Sequence, residues 1–301
     1  MHLKQIQNFV MVVETGSIHA AARELGVSQP AVTKSIRSLE TELHAQLLQR
    51  TPHGVVPTPA GRMFFARARV AQAELRKAEE ELTQTGNDAA GTVAFGVGPV
   101  AAVLVAPQAV TRFHQQFRRA RIRVVEGFLP VLLPLVRDGS LDFAIGPRVD
   151  SKPDPALAFR PLFREDFVVV ARKGHPLRHS RSLAQLTGAD WLSFGGSGVP
   201  NGPLDRAFSS AGLAVPRQVV QCDSYNIVVS VLATTDMLGI IARRMLTSPL
   251  ARESLQEIAV AERPPMLTVG LFMRTDPPLT QLAAAMAKAV TVAARTLALA
   301  A

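Results

Sequence analysis

The segment from Ser17 to Leu39 constrains the fold of this 301-residue chain more than any other, because it places two short helices around a single glycine. Ser17 can cap a helix over Ile18–Leu25, Gly26 supplies a tight turn, and Ser28 with Pro30 opens a second helix. At ~100° per residue, Val32, Ile36, Leu39 and Leu43 of that second helix fall in a stripe about 60° wide. Gln29, Pro30, Thr33, Lys34 and Arg37 fill an arc of about 140° on the other side. The stripe can pack inward, leaving an amide, a hydroxyl and two cations facing out. Those groups pair with base edges and phosphates in a DNA major groove. The pattern predicts a helix-turn-helix.

The flanking residues complete the same unit. A first helix is expected from Leu3 to Val13, with Ile6, Phe9, Val10 and Val13 at core spacing, ended by Gly16. Leu47 to Thr58 reads as two short extended pieces around a Pro52-His53-Gly54 turn, a wing on which Arg50 and Thr51 lie beside the groove. Thr58-Pro59 then opens a long helix. In it Phe64, Ala68, Ala71, Leu75, Ala78 and Leu82 recur at spacings of 4, 3, 4, 3 and 4, a heptad-like seam. The preferred reading is a dimerisation helix ending near Gly86-Asn87-Asp88, with Glu79-Glu80-Glu81 away from the seam. The competing reading packs the stripe on its own domain.

Composition narrows the class. With 48% apolar and 19% charged residues, the chain is a folded one. No apolar run approaches the ~20 residues needed to cross a bilayer, and the start lacks a signal-peptide core, so a cytoplasmic location is expected. Cys222 is the single cysteine, which excludes an intrachain disulfide and any multi-cysteine metal cluster. The net charge of +9 points to an anionic partner. Yet residues 1–89 hold 10 Lys and Arg against 9 Asp and Glu, and the remainder holds 23 against 15. The excess therefore lies outside the proposed DNA reader.

From Thr92 the rhythm changes to alternating strands and helices, which predicts parallel sheets wrapped by helices. Strands are expected at 92–97, 121–125, 141–145, 167–171, 192–194, 219–222, 239–241 and 267–272. Helices are expected from Ala101 to about Phe117 and over 130–137, 204–211, 225–234 and 279–299. So much alternation exceeds one five-stranded sheet, so two lobes follow, with crossings near Arg160–Glu165 and Arg263–Met266. The boundaries read as 1–58 for the reader, 59–88 for the linker helix and 89–301 for the remainder. Its lobe I covers about 91–162 and 267–301, and lobe II about 163–266.

Other chemistry is thin. Gly96-Val97-Gly98-Pro99-Val100-Ala101 formally meets a loose dinucleotide pattern, with Glu126 ending the next strand. A nucleotide-dependent enzyme using that loop is the alternative function, although Pro99 removes one N–H that such a loop offers to phosphate. Gly195-Gly196-Ser197-Gly198-Val199 lacks the last glycine of a nucleophile elbow. His175 and His179 have metal spacing, but Pro176 breaks the helix that would align them. No cofactor, metal site or enzyme activity is expected.

Phe9-Val10, Val13-Glu14, Gly16-Ser17, Ala20-Ala21-Ala22, Leu25 through Val32, Ile36, Leu39-Glu40, Leu43, Leu47-Leu48, Arg50 and Thr58-Pro59-Ala60-Gly61 together closely resemble the LysR-type transcriptional regulators. Looser matches follow at Glu126-Gly127, Gly139 to Ile145, Ser230-Val231-Leu232 and Gly239-Ile240-Ile241. The resemblance implies an α/β chain with an N-terminal all-α winged helix-turn-helix, a long linker helix and a two-lobed periplasmic-binding-protein-like effector domain. It implies double-stranded promoter or operator DNA, RNA polymerase, a small-molecule effector (anionic ones among the candidates) and a homodimer or homotetramer as partners, with no membrane. Ser28, Gln29, Pro30, Thr33, Lys34, Arg37, Arg50 and Thr51 would contact DNA. Pro99, Val100, Phe128, Ser197, Gly198, Val199 and Ser224 would line the effector cleft. Arg148 and Arg160 would supply it with counter-charge or simply lie on the surface. Members that bind small carboxylates often carry hydroxyls near Val100 and Phe128, so this cleft mouth reads as apolar. Two departures stand out: Pro57 where members place leucine, and Ala242 where a proline commonly follows the strand.

Overall fold

The computed structural model describes residues 1–52, 54–82, 90–148, 154–195, 202–262, 264 and 266–299. It divides into two compact units, Met1–Leu82 with Arg137–Ser140, and Thr83–Val136 with Leu141–Ala301. In the first, α1 (Leu3–Thr15), α2 (Ile18–Glu24) and α3 (Gln29–Glu42) surround Phe9, Val12, Val32 and Leu39, all fully buried. Gly16 ends α1 at φ +66° and Gly26 turns the chain at φ +64°, a region that L side chains rarely adopt. Ser17 accepts the amide of Ala20 at 3.3 Å, capping α2. A two-stranded wing, β1 (Leu48–Thr51) against β2 (Gly54–Pro57), leads into α4 (Pro59–Leu82).

The seam on α4 divides. Phe64 and Ala68 pack into the core of their own unit, with the Phe64 ring 5.3 Å from Phe9 in an edge contact. That half corrects the expectation of one continuous dimer seam. Ala71, Leu75, Ala78 and Leu82 are exposed, Leu82 by 88%. The expected helix end near residues 86–88 lies outside the described residues.

The second unit holds two five-stranded sheets. Lobe I has the order β4-β3-β5-β12-β6 and lobe II the order β11-β7-β10-β8-β9. Lobe I contains β3 (Gly91–Val97), β4 (Ala120–Glu126), β5 (Phe143–Pro147), β6 (Leu157–Glu165) and β12 (Leu267–Arg274). Lobe II contains β7 (Phe167–Arg172), β8 (Trp191–Phe194), β9 (Gln218–Cys222), β10 (Leu238–Ala242) and β11 (Leu255–Ile258). The sheets are mixed rather than parallel: β12 runs antiparallel to β5 and β6, and β7 antiparallel to β10 and β11. In each lobe the reversed strand is the one entered directly after a crossing. It arrives without a covering helix to turn it parallel.

Three further expectations change. The single helix predicted over 101–117 is two, α5 (Pro99–Leu104) and α6 (Ala106–Gln116), because Pro107 offers no N–H to the preceding turn and its ring crowds that turn. Arg160–Glu165 is not a crossing but the second half of β6, and the chain crosses at Asp166. β11 was not foreseen. α7 (Leu129–Arg137), α8 (Pro203–Ser210), α9 (Tyr225–Thr234) and α10 (Gln281–Leu299) lie close to their expected positions. Trp191, the single tryptophan, is fully buried in lobe II, donates its ring N–H to the Leu186 carbonyl at 3.1 Å and meets Phe208 edge-on at 5.2 Å.

One ionic contact ties the lobes at the first crossing. Glu165 is 1% exposed, and its Oε2 lies 3.3 Å from Nε of Arg244, in the short 3-10 turn Arg243–Thr247 of lobe II. The backbone amide of Arg244 donates to Oε1 at 3.3 Å, while its guanidinium donates to the carbonyls of Arg164 at 3.0 Å and Leu297 at 3.3 Å. Burial raises the carboxyl above its ordinary range, and Arg244 pulls it part of the way back. Arg244→Met strands that carboxylate, so the folded protein should lose about 3 kcal/mol at pH 8. The folded pKa then exceeds the unfolded one further, so the folded state gains a proton as pH falls and the deficit shrinks toward pH 5. Urea denaturation of both proteins at the two pH values checks this; an equal deficit at both contradicts it.

Candidate nucleic-acid interface

The outer face of α3 is built by capping and packing. Ser28 Oγ accepts the Ala31 amide at 3.4 Å, and Pro30 sits in the first turn. Val32, Ile36 and Leu39 are buried against α1 and α2, fixing the helix rotation. Gln29, Pro30, Thr33, Lys34 and Arg37 are thereby brought together around one shallow surface depression open to solvent. Thr33 Oγ donates back to the Gln29 carbonyl at 3.0 Å, so toward a ligand it serves as an acceptor. Lys34 and Arg37 are exposed, with no ion-pair partner among the described residues.

The wing is held against α3 by a residue whose role the sequence does not announce. Glu40 Oε1 accepts the amides of Leu47 at 2.8 Å and Leu48 at 3.0 Å, so the far end of α3 anchors the start of β1. Gln5 Nε2 donates to Ser38 Oγ at 3.0 Å, tying α1 to the same turn. The amide of Val55 donates to the Gly16 carbonyl at 2.8 Å, docking β2 on the α1–α2 turn. Gly54, at φ +130°, permits this, since a Cβ there would sit 2.6 Å from that oxygen. Arg50 is exposed on β1. Thr51 Oγ donates to the Gly54 carbonyl at 3.1 Å, so it closes the wing turn, and its proton is spent inside the wing.

The residues expected to line an effector cleft separate into three groups. Val100, on α5 behind the buried Pro99, is half-buried and packs against the cores of both lobes. Phe128, after β4, meets Phe194, at the end of β8, edge-on at 5.8 Å across the lobes. Ser224, half-buried ahead of α9, makes no capping hydrogen bond with its side chain. Val100 and Phe128 share the interlobe region, and Ser224 directly precedes Tyr225 of the lobe II core. Arg148 does not join them: its guanidinium lies over the Phe159 ring at 5.7 Å, toward β6. Arg160 donates to Thr291 Oγ at 2.8 Å on α10 and is likewise spent elsewhere. Ser197, Gly198 and Val199 lie outside the described residues.

Phe194 and Tyr225 were missed, though Phe194 ends a parallel strand, where ligand crevices form. Their rings stand 6.2 Å apart. The Tyr225 hydroxyl donates to the Met245 carbonyl at 2.8 Å, and burial raises its pKa. Phe128, Phe194 and Tyr225 thus form an aromatic wall, and among the described residues no guanidinium stacks on these rings.

The phosphate-loop alternative fails on packing. A Cβ on Gly96 would meet Leu132 Cδ2 at 2.9 Å, and the Gly98 amide donates to the Ile145 carbonyl at 2.7 Å. The glycines serve close packing, and neither that amide nor Pro99 is free for phosphate. At His175, Nε2 sits 3.1 Å from the Asp236 carbonyl and Nδ1 accepts the Leu177 amide at 3.0 Å, which makes it part of a turn.

Residues 3–62 match the family described as bacterial regulatory helix-turn-helix protein, lysR family, and residues 86–294 match the LysR substrate binding domain. The chain is 30% identical to the HTH-type transcriptional regulator GalR of Pseudomonas putida, over 90% of this chain and 69% of that protein. It is 30% identical to the HTH-type transcriptional regulator TdcA of Escherichia coli, over 86% of this chain and 82% of that protein. Full-length CbnR complexed with its target DNA shares the fold at a TM-score of 0.70 and 17% identity, covering 97% of this chain and 100% of that one.

Glu40→Ala removes the acceptor for two amides at the foot of the wing. The expected cost is about 2 kcal/mol of stability. Faster hydrogen exchange at Leu47 and Leu48 should accompany it, and unchanged protection there would contradict the anchoring role.

Proposed function

The chain belongs to the LysR family of DNA-binding transcriptional regulators, and from that premise we propose that α3 reads base edges in duplex DNA while a small molecule held between the lobes sets how paired copies present their readers. The observation that carries this reading is the outer face of α3, where five polar or small side chains share one open depression and both cations lack an internal partner. Gln29 has the bidentate amide that matches adenine, and Lys34 and Arg37 can reach guanine or phosphate. Ser28, Pro30 and Thr33 shape the approach. Arg50, on the wing, would contact the neighbouring phosphate backbone, with Thr51 holding the turn beside it.

The reader, linker and effector portions are taken as 1–58, 59–88 and 89–301. The exposed half of α4, with Ala71, Leu75, Ala78 and Leu82, supports pairing with a second copy, and a tetramer would form from two such pairs. RNA polymerase is the partner through which such an assembly would act, in the cytoplasm with the chromosome. A ligand entering beside Val100 and Ser224 would meet the Phe128–Phe194 pair. Ligand and DNA are then coupled if the two lobe arrangements bind that ligand with different affinity. An apolar wall fits an effector with a hydrophobic body better than a short aliphatic diacid. No enzyme activity is assigned.

In a gel-shift with DNA from upstream of the chain's own gene, Gln29→Ala with Lys34→Ala should lower preference for that fragment over random duplex about 100-fold. Unchanged preference would overturn the reading. Leu75→Glu with Leu82→Glu should convert a dimer to monomers in sedimentation, and persistence of the dimer would place the pairing surface elsewhere.

A further inference from the structure

At the crossing, lobe II takes hold of lobe I with the 3-10 turn Arg243–Thr247 that follows β10. The Arg243 amide donates to the Asp166 carbonyl at 2.8 Å, and Arg244 Nε lies 3.3 Å from Glu165 Oε2. The apolar contact is on the same turn. Met245 is fully buried in the lobe II core, Val100 and Val103 of α5 pack against that core, and α5 itself touches the turn.

A side chain of the aromatic wall holds this turn from behind. Tyr225 Oη donates to the Met245 carbonyl at 2.8 Å and lies 3.0 Å from Ser248 Oγ, just past the turn. With its proton committed to Met245, the phenol accepts from Ser248, and Ser248 Oγ accepts the Ala251 amide at 3.3 Å. The ring end of Tyr225 stands 6.2 Å from Phe194, which meets Phe128 of lobe I at 5.8 Å.

A bland account covers part of this. Tyr225 is 5% exposed, and a buried hydroxyl needs a hydrogen-bond partner wherever it lies. Here, however, one rigid ring touches the interlobe wall at one end and the joint between the lobes at the other. A displacement of Phe194 that tilts the ring also moves the hydroxyl. A hydrogen bond weakens steeply once its angle or length leaves a narrow range, so a small tilt is enough to free the turn.

We propose that Tyr225 is a positioning residue that couples the interlobe crevice to the crossing: its ring follows Phe194, and its hydroxyl sets how firmly the Arg243–Thr247 turn grips lobe I. This rests on the reading that a small molecule enters between the lobes, and it adds the route by which occupancy alters the crossing. An occupant that shifts Phe194 changes the hold of Arg244 and so biases one lobe arrangement over the other.

Hydrogen exchange on the full chain, free of ligand and DNA, tests the route through a double-mutant cycle. Phe194→Leu should speed exchange of the Arg243 and Arg244 amides about five-fold, the scale of one ordinary hydrogen bond. Tyr225→Phe, which deletes only the hydroxyl, should speed them by about the same factor. The double variant should stay at that level, whereas independent effects would multiply to about 25-fold. Amides of β10, in the same lobe, should keep wild-type protection in all three variants. Multiplied effects, no response of the turn to Phe194→Leu, or equal acceleration in β10 would each overturn the proposal. Should Phe194→Leu fail to fold, Phe128→Leu disturbs the same contact from lobe I and is read by the same criteria. Failure here removes the route through Tyr225 and leaves the proposed crevice standing, while a crevice that takes no ligand would leave the measured coupling intact.

Discussion

The burial of one narrow apolar stripe on α3 governs the DNA-reading half of this molecule. Val32, Ile36 and Leu39 seat against Phe9 and Val12, and Phe9 in turn meets Phe64 at the start of the linker helix. Rotation of α3 about its axis is fixed by that packing, and with it the side chains turned toward solvent. Glu40 carries the same constraint into the wing by holding the first amides of β1. Reader, wing and linker are thus cooperative parts of one core.

The effector domain obeys a different constraint, imposed by a chain that leaves lobe I, builds lobe II and returns. Each of the two crossings forces a strand to run against its neighbours, which is why β7 and β12 are reversed. The crossing is held by Arg244, whose guanidinium and amide meet Glu165, Arg164 and Leu297 from the opposite lobe. Hydrophobic contact through Val100 and the Phe128–Phe194 pair spans the same gap closer to the crevice.

Local chemistry was legible in the sequence wherever a cap, a glycine turn or a helical period acts within a few residues. Ser17, Ser28, Gly26 and the stripe on α3 belong to that class. The break at Val105 was readable in principle, because Pro107 announces it, but the apolar run on both sides concealed it. Strand direction in β7 and β12 was not readable, since it depends on partners far along the chain. The same holds for the site. The exposed face of α3 followed from periodicity, whereas Glu40, Phe194 and Tyr225 acquire their roles only through tertiary neighbours. Arg148 and Arg160 show the converse, because a cation near a cleft in sequence order finds an aromatic face or a hydroxyl elsewhere once the sheet is assembled.

Trp191 and Tyr225 are the one tryptophan and the one tyrosine of the chain, and both lie in lobe II. Tryptophan and tyrosine emission therefore originates wholly from that lobe, with the indole as its dominant source. Melting of the N-terminal helices or dissociation of a DNA duplex from them leaves that emission unchanged unless the change propagates to lobe II. Far-ultraviolet dichroism, weighted toward the helices, samples both halves. Non-coincidence of the two signals during denaturation would thus measure how independently the halves come apart.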